Sequence, residues 1–271
     1  MKQLLLVIAA LGVIVAAMLA AGAVPPPVND GWDHGDPPYL LEPGWTPLFS
    51  GRNLDGWEYT DPQKGAWGVT RGVFWGAEAN PTQLLALPEP GDRMINTVAN
   101  GKSASNIYTT RKFGDVELYV EFMMAKSTNS GVYMHGLYET QIWDSYGIVP
   151  RLDTDRCGAM YHYGSGPIGG IDGGIVPRVR AERPAGQWQS YHYWFQAPRF
   201  DAAGKKIAPA KFLRIVFNGQ VIHENVERLG PTVAAMKIPE AAENPLMLQG
   251  DHGSVAFRNI YMRPLRPLPQ Q

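Results

Sequence analysis

The sequence predicts an all-β domain, built as an antiparallel two-sheet sandwich of the jelly-roll type with long loops. Short segments alternate apolar and polar residues, as strands do. Turn-forming residues recur between them, with 30 Gly and 23 Pro in the chain. No stretch has the period of an amphipathic helix, and Val233 to Glu240 offers at most one helical turn. A repeat of fixed period is also missing, which disfavours a propeller.

Composition excludes some classes of protein. The 271 residues carry a formal net charge of -1, so the basic footprint of a nucleic-acid-binding protein is missing. Eight Trp and twelve Tyr favour aromatic contact surfaces. The single Cys157 rules out an intramolecular disulfide, and its surroundings predict a small packed residue rather than a nucleophile.

The first residues have the features of an export signal. Residues 1–23 join a positive Lys2 to a long apolar run and end in a small-x-small cleavage site, Ala21-Gly22-Ala23. We therefore expect a cleaved signal, no stable membrane insertion after its removal, and a periplasmic or extracellular protein. An uncleaved membrane anchor is the alternative, because the run approaches the ~18 to 20 residues that a membrane span needs.

The rest of the chain is predicted as a leader, one domain and a tail. Residues 24–44 are rich in Pro and Gly and read as an extended leader. Residues 45–265 form the jelly-roll domain, and residues 266–271 form the tail. Within the domain we expect a hairpin over Trp67 to Trp75 that turns near Arg71-Gly72, and an irregular insertion over Leu87 to Ser105.

Several later segments are predicted strands. Val116 to Met124 is the clearest, with apolar residues at every second position. Trp188 to Gln196 reads as a buried strand, and Asn218-Gly219 between apolar runs predicts a tight hairpin. The remaining expected strands are 158–163, 246–250 and 255–262. A long glycine-rich loop begins at Gly164.

The most informative stretch reads NSGVYMHGLYETQIWD, from Asn129 to Asp144. It predicts two strands joined by a turn near Gly136. Alternation places an apolar set on one face and a planar, polar set on the other: Tyr133, His135, Glu139, Gln141 and Trp143. Planar donors and acceptors beside aromatic rings suit a polar ring-shaped ligand such as a sugar. An ordinary polar sheet face with exposed aromatic residues is the alternative.

Four stretches together resemble the secreted 3-keto-disaccharide hydrolase domain family. They are WTPLFSGRNLDGW, YTTRKFGDVELYVEF, NSGVYMHGLYETQIWD and LQGDHGSVAFRNIYM, and the resemblance spans roughly Trp45 to Pro264. The resemblance implies a concanavalin-like jelly roll with a concave sugar-binding sheet, and action on glycosides oxidised at C3. The chain departs from the family pattern at His135, where an Arg is expected, and in two insertions, Leu87 to Ser105 and Arg199 to Ala210.

The chemistry of such substrates assigns roles to particular residues. A ketone at C3 acidifies the C2 proton, so a base can remove it while an acid protonates the leaving oxygen at C1. We expect Glu139 to be the base. We expect His252 to be the acid or the group that polarises the ketone, with Asp251 orienting its ring. The predicted substrate-binding residues are Tyr133, His135, Gln141, Trp143, His162 and Gln249.

Two other functions stay open, and no cofactor is predicted. A non-catalytic carbohydrate-binding module would use the same fold. A two-carboxylate glycosidase would need a paired carboxyl across the sugar, and the sequence lacks the Glu-x-Asp-x-x-Glu strand of glycosidases of similar fold. The chain has no His-x-His, His-Glu-x-x-His or Cys pair for zinc, although oxygen ligands leave room for a divalent cation such as Ca²⁺. The expected partner is a carbohydrate, and no particular oligomeric state is predicted.

Overall fold

The computed structural model of the protein describes residues 37–96, 104–149, 154–162 and 174–268. The predicted export signal, most of the leader and the loop from Gly164 lie outside these residues. The described part is nearly all β-structure, and the predicted two-sheet antiparallel sandwich is confirmed. Its helices are too short or too polar to cross a membrane.

One short helix and seventeen strands make up the described fold. Helix α1 is Pro38–Leu41. The strands are β1 Thr46–Pro47, β2 Trp57–Tyr59, β3 Trp67–Thr70, β4 Val73–Trp75, β5 Leu84–Ala86, β6 Arg93–Asn96, β7 Ile107–Phe113, β8 Val116–Met124, β9 Asn129–Met134, β10 Tyr138–Trp143, β11 Gln189–Gln196, β12 Arg199–Phe200, β13 Lys206–Ala208, β14 Ala210–Phe217, β15 Gln220–Arg228, β16 Asn244–Leu248 and β17 Val255–Pro264.

Two large sheets enclose the core. The larger sheet has the order β15-β14-β11-β8-β17-β6-β3, with β1 also paired to β17. The smaller sheet has the order β10-β9-β16-β7-β2. Alternate residues of facing strands, among them Phe122 of β8, Tyr193 of β11 and Val132 of β9, fill the space between the sheets. The other face of the smaller sheet is therefore free to carry a site.

Strand β8 forms where it is predicted, but both of its faces are buried, which its alternating pattern does not predict. Leu118, Val120 and Phe122 lie in the core, as expected. The opposite face of β8 is also buried, because the chain around α1 covers it. Tyr39 of α1 stacks on a tyrosine of β17 with ring centroids 4.0 Å apart, and Glu117 is completely buried beside an arginine of β17.

Both tight hairpins form where turn residues predict them. Asn218 and Gly219 join β14 to β15 with φ of 47° and 81°. His135 and Gly136 lead from β9 towards β10 with φ of 57° and 65°. Positive φ at successive residues matches the right-handed twist of paired strands.

The expected hairpin from Trp67 to Trp75 is wrong. Strand β3 pairs with β6 in the larger sheet, whereas β4 pairs with β5 in a separate two-stranded sheet. The Thr70 hydroxyl holds the turn by donating to the carbonyl oxygens of Gly72 and Leu87, at 2.9 and 2.8 Å. Val73 of β4 then packs in a second, smaller apolar cluster.

Two further segments differ from expectation. The insertion from Leu87 contains a strand, β6, which pairs with both β3 and β17. The segment from Gly158 is not a strand, since Met160 forms only isolated bridges to Thr140 and Ile175.

Two other segments agree with their descriptions. The chain from Val233 to Glu240 contains no helix, which fits the expectation of at most one helical turn. The insertion from Arg199 forms the small hairpin β12–β13.

The loop between β16 and β17 brings distant parts of the chain together. These two strands belong to different sheets, so residues 249–254 must cross from the smaller sheet to the larger one. The loop runs beside the start of β9, where the Asn129 amide donates to the His252 carbonyl oxygen at 3.0 Å. Asp251 and His252 of this loop interact with Glu139, so the loop lies beside the polar side chains of β9 and β10.

Candidate active site

The β9–β10 hairpin places the predicted polar set on the outer face of the smaller sheet. Tyr133 lies directly opposite Glu139, and Gln141 lies opposite Gly131. Trp143 follows on the same face at the end of β10, where it is partly exposed. The neighbouring residues of both strands face the core. Glu139, Gln141, Trp143 and Tyr133 thus share one face, as the alternation predicts.

Glu139 is held in a confined position. Its side chain is nearly inaccessible, with 2% of the residue exposed. Its backbone amide donates to the Thr232 hydroxyl at 3.0 Å, which fixes the strand edge. A Cβ atom added at Gly131 would lie 2.5 Å from Glu139 Oε1, so the carboxyl group occupies the space that a side chain there would need. Burial raises the pKa of Glu139 to about 8.

Tyr133 is the direct partner of this carboxyl group. Burial raises the pKa of Tyr133 well above its usual range, and the neighbouring Glu139 raises it further. The neutral hydroxyl hydrogen-bonds Glu139 and opposes part of the effect of burial on the carboxyl. A carboxylate that accepts a hydrogen bond is stabilised in its charged form. The Tyr133 hydroxyl therefore helps the buried Glu139 carboxyl group to ionise.

The crossing loop supplies a histidine and a second carboxylate. His252 Nδ1 lies 2.6 Å from Asp251 Oδ1, and this contact orients the ring. Gln249 Nε2 lies 3.4 Å from the same nitrogen. The Gln249 amide donates to the Gly131 carbonyl oxygen at 3.0 Å, which ties the loop to the middle of β9.

His252 and Glu139 come together at this face from positions far apart in the sequence. The charge on His252 lowers the pKa of Glu139, while Asp251 acts in the opposite direction. The hydrogen bond between His252 and Asp251 raises the pKa of His252 above its ordinary value. The two groups also differ in solvent access, because 55% of the His252 side chain is exposed. One buried acid-base group and one exposed acid-base group therefore flank the same space.

His135 does not join this face. Its positive φ turns the side chain into the core, where its ring packs edge-on against Phe195 with centroids 4.9 Å apart. Its Nε2 lies 3.4 Å from the Gly114 carbonyl oxygen, and burial lowers its pKa to about 4. The expected sharing of a face with Tyr133 is wrong for this residue, because the turn begins one residue earlier than strict alternation assumes.

His162 lies next to the site rather than in it. Its ring packs against the Tyr161 ring at a tilt of 46°, with centroids 4.1 Å apart, and Tyr161 interacts electrostatically with Glu139. The His162 carbonyl oxygen accepts the Val233 amide at 3.3 Å. The contact ties the segment that ends at residue 162 to the segment that carries Thr232.

Three residues near Glu139 were not among the predicted site residues: Arg228, Tyr161 and Thr232. Arg228 is completely buried at the end of β15, and its Nη2 donates to the Tyr161 carbonyl oxygen at 2.5 Å. Its charge lowers the pKa of Glu139. Arg228 is buried because it lies opposite Ala210, a core residue of β14, and the irregular β15 strand gave no alternation that predicted this. Thr232 and Tyr161 lie in irregular segments and carry no sequence signal either.

The described residues do not bring three or more His, Cys, Asp or Glu side chains together in a way that could hold a metal ion. Cys157 is buried, as its surroundings predict, and burial raises the pKa of its thiol to about 12. The acid-base groups of the site are therefore Glu139, His252 and Asp251, with Tyr133 as the neutral donor.

Comparison with known proteins identifies a family. A profile of the 3-keto-alpha-glucoside-1,2-lyase-like domain matches residues 44–263. Among curated protein sequences, none matches the chain.

Several solved structures are similar to this chain, two of them with TM-scores above 0.5. A candidate glycosyl hydrolase from Parabacteroides distasonis is 25% identical, with a TM-score of 0.58, and the alignment covers 82% of this chain and 84% of that one. A second candidate glycosyl hydrolase from the same organism is 16% identical, with a TM-score of 0.51, over 86% of this chain and 100% of that one. A carbohydrate-binding module, CBM66, from Bacillus subtilis is 8% identical, with a TM-score of 0.44, over 78% of this chain and 98% of that one.

Proposed function

The chain belongs to the 3-keto-alpha-glucoside-1,2-lyase-like family, and we propose that it is a carbohydrate-active enzyme that cleaves the glycosidic bond of 3-keto-glycosides. The similarity to a candidate glycosyl hydrolase at 25% identity supports action on a carbohydrate. A family match alone leaves the chemistry to be argued from the site.

One observation carries the proposal: the Glu139 carboxyl lies against Gly131, and the loop that holds the His252–Asp251 pair is hydrogen-bonded to the carbonyl oxygen of the same glycine. A module that only binds sugar needs aromatic rings and hydrogen-bonding groups, but it does not need a buried carboxyl beside an oriented histidine. An elimination needs both, because a proton must leave C2 and another must reach the departing oxygen.

In the proposed reaction, the Glu139 carboxylate takes the proton from C2 of the 3-keto sugar. The electron pair of the C2–H bond forms a C1–C2 double bond as the bond from C1 to the leaving oxygen breaks. The raised pKa of Glu139, about 8, makes its carboxylate a stronger base than an exposed glutamate. The Tyr133 hydroxyl keeps that base oriented by its hydrogen bond.

His252 completes the step by giving a proton to the leaving oxygen. Asp251 accepts the hydrogen bond of Nδ1 and favours the protonated ring, so Nε2 holds the proton to be transferred. The exposure of the ring allows the proton to be replaced from solvent. Water can then add across the new double bond, with oxygen to C1 and hydrogen to C2, and the net result is hydrolysis.

The substrate class is tested by offering the purified protein a 3-keto-disaccharide and its unoxidised parent side by side. We expect release of the leaving sugar only from the keto compound. Cleavage of the parent would instead favour a two-carboxylate glycosidase. Binding of either compound without cleavage would favour a carbohydrate-binding module.

We also propose that the protein is exported and that its mature N-terminus is Val24. The proposal rests on the apolar run and on the site Ala21-Gly22-Ala23 that precedes this residue. N-terminal sequencing of the protein from the periplasmic or culture fraction is the measurement. An intact Met1 in a membrane fraction would contradict it.

A further inference from the structure

Gln249 is the residue at which the loop between β16 and β17 leaves the smaller sheet. Its backbone amide donates to the Gly131 carbonyl oxygen at 3.0 Å, and its carbonyl oxygen accepts a hydrogen bond from the Ser130 hydroxyl at 2.8 Å. Both contacts hold Gln249 against β9, beside the glycine that the Glu139 carboxyl group covers. The sheet itself therefore sets the position of Gln249 relative to Glu139.

The side chain of Gln249 reaches from this fixed position to the His252–Asp251 pair. Its Nε2 lies 3.4 Å from His252 Nδ1, and it forms a hydrogen bond with the Asp251 side chain. A carboxylate only accepts hydrogen bonds, so the amide turns its NH2 group towards Asp251. Burial raises the pKa of Asp251, but the hydrogen bonds from His252 and Gln249 help to hold it below its ordinary value.

The His252–Asp251 pair is far more open to solvent than the residue that contacts it. The His252 and Asp251 side chains are 55% and 32% exposed, whereas only 4% of Gln249 is exposed. The pair lies between Gly250 and Gly253, and glycine allows the chain many conformations. A buried contact is therefore needed to select one orientation of the pair.

The orientation of the Gln249 amide is not explained by the stability of the fold. Its Oε1 is buried and has no hydrogen-bond partner among the residues that the structure describes. An unpaired buried acceptor is destabilising, and an apolar side chain of the same length, such as methionine, would avoid it. The contact with Asp251 accounts for a glutamine at this position.

We propose that Gln249 is a positioning residue, whose amide holds the Asp251 carboxylate in the orientation that aligns the His252 ring with the substrate. This role rests on the proposed function, in which His252 is the acid. The titratable groups that act on the ring are Asp251 of its own loop and Glu139 of β10. The alignment of the ring can be measured without any substrate.

The test follows the titration of the His252 ring by NMR in the full chain, with the ring signal assigned by its loss in His252→Gln. Gln249→Met keeps the side-chain length and removes the amide. We expect the pKa of His252 to fall by about half a unit or more, because its hydrogen bond to Asp251 weakens and such a bond is worth roughly one unit. Gln220→Met, at a buried glutamine of β15 in the larger sheet, is the matched control and should leave the titration unchanged.

Two further variants show whether Gln249 acts through Asp251. Gln249→Asn keeps the amide but shortens its reach, so it should lower the pKa of His252 as Gln249→Met does, and it serves if that variant fails to fold. In an Asp251→Asn background, Gln249→Met should no longer move the titration, because the charge that Gln249 orients is gone. Equal shifts in both backgrounds would overturn the proposed role.

Stability and kinetics separate positioning from other roles. Gln249→Met should not lower the midpoint of urea unfolding, because water replaces the amide at the partly exposed Asp251 and the unpaired oxygen is removed. With a 3-keto-disaccharide, we expect kcat to fall about tenfold and KM to change less than about twofold. The fall is a part of the ~10² to 10⁴-fold that a general acid contributes.

The outcomes distinguish this role from the proposed function. An unchanged or raised pKa of His252 in folded Gln249→Met would overturn the role, whether the loss appears in stability or in KM. If the protein does not cleave a 3-keto-disaccharide, the proposed function fails, and the titrations still decide whether Gln249 orients the ring. A lowered pKa that depends on Asp251 supports the role.

Discussion

At the scale of single residues, Glu139 combines two demands that oppose each other. The proposed reaction needs its carboxylate, but burial favours its neutral form. The folded pKa of about 8 lies above the unfolded value of 4.5, so the folded protein retains a proton that the unfolded chain releases between these values. Stability contributed by this proton is complete below pH 4.5 and is lost as the pH rises through 8.

Replacing Glu139 with Gln should therefore lower activity and raise stability at alkaline pH. We expect kcat/KM to fall roughly 10² to 10⁴-fold. At pH 9 the free energy of unfolding should rise by up to roughly 5 kcal/mol, and the gain should disappear near pH 4.5. Urea unfolding at several pH values measures it. Glu227→Gln, at an exposed position of β15, is the matched control and should change neither quantity. Retained activity in Glu139→Gln would remove this residue from the mechanism.

Tyr133 should set the pH at which Glu139 becomes active. Its hydroxyl stabilises the carboxylate, so Tyr133→Phe raises the pKa of Glu139 further. We expect the acidic limb of the kcat/KM profile to move to higher pH by about one unit, since a hydrogen bond to a charged group is worth roughly that much. A profile that keeps its limb while its height falls would mean that Tyr133 only contacts the substrate.

The sequence predicted the shared face of Tyr133, Glu139, Gln141 and Trp143 because two-residue alternation is a local property of strands. It could not predict the position of His135. That residue adopts positive φ in the turn, and its ring packs against a strand more than fifty residues further along the chain. Alternation says nothing about residues beyond the last strand position.

At the scale of elements, β9 needs a residue without a side chain beside the Glu139 carboxyl. A Cβ atom at Gly131 would lie 2.5 Å from Glu139 Oε1. We expect Gly131→Ala to displace the carboxyl and lower kcat/KM about 10²-fold, because misplacing a catalytic group by about 1 Å can cost that much. Gly68→Ala in β3, where an added Cβ meets nothing within 4 Å, is the matched control for a strand glycine. Equal activity of the two variants would contradict the close approach.

Strand pairing was predictable only where the turn itself specifies it. Asn218-Gly219 fixes a two-residue hairpin by its backbone conformation, and β14 and β15 pair as expected. The turn residues Arg71-Gly72 also predicted a hairpin, but β3 pairs with β6 instead of β4. The choice between those partners depends on which face of the larger sheet each strand can cover, and short apolar runs do not encode that.

At the scale of the whole molecule, the site exists because one loop crosses between the sheets. Glu139 comes from a hairpin, whereas Asp251 and His252 come from the connection between β16 and β17. The sequence suggested each group separately. Their meeting depends on long-range strand order, with β16 next to β9 in one sheet and β17 next to β8 in the other.

Two buried histidines should make the whole fold sensitive to acid. Burial lowers the pKa of both His135 and His223 to about 4, whereas unfolded histidine titrates near 6.5. Their contribution to stability is therefore complete above pH 6.5 and is lost as the pH falls through 4, by up to roughly 3 kcal/mol each.

The acid sensitivity is best measured in the Glu139→Gln background, because Glu139 changes stability with pH in the opposite sense. We expect the free energy of unfolding to fall between pH 6.5 and 4. Adding His135→Asn and His223→Gln should flatten this slope, and Asn tolerates the positive φ at position 135. An unchanged slope would show that these rings remain protonated in the folded protein.

The central claim is that Glu139 removes the proton from C2, and the origin of the C2 hydrogen in the product tests it most directly. The protein cleaves a 3-keto-glycoside in heavy water, and early samples of the released keto sugar are analysed by mass spectrometry. Free 3-keto sugar in the same buffer gives the background exchange. Elimination followed by addition of water predicts one deuterium at C2 above that background. A product that keeps its original C2 hydrogen, with no unsaturated keto-sugar intermediate in the same samples, would contradict the account and indicate direct hydrolysis at C1.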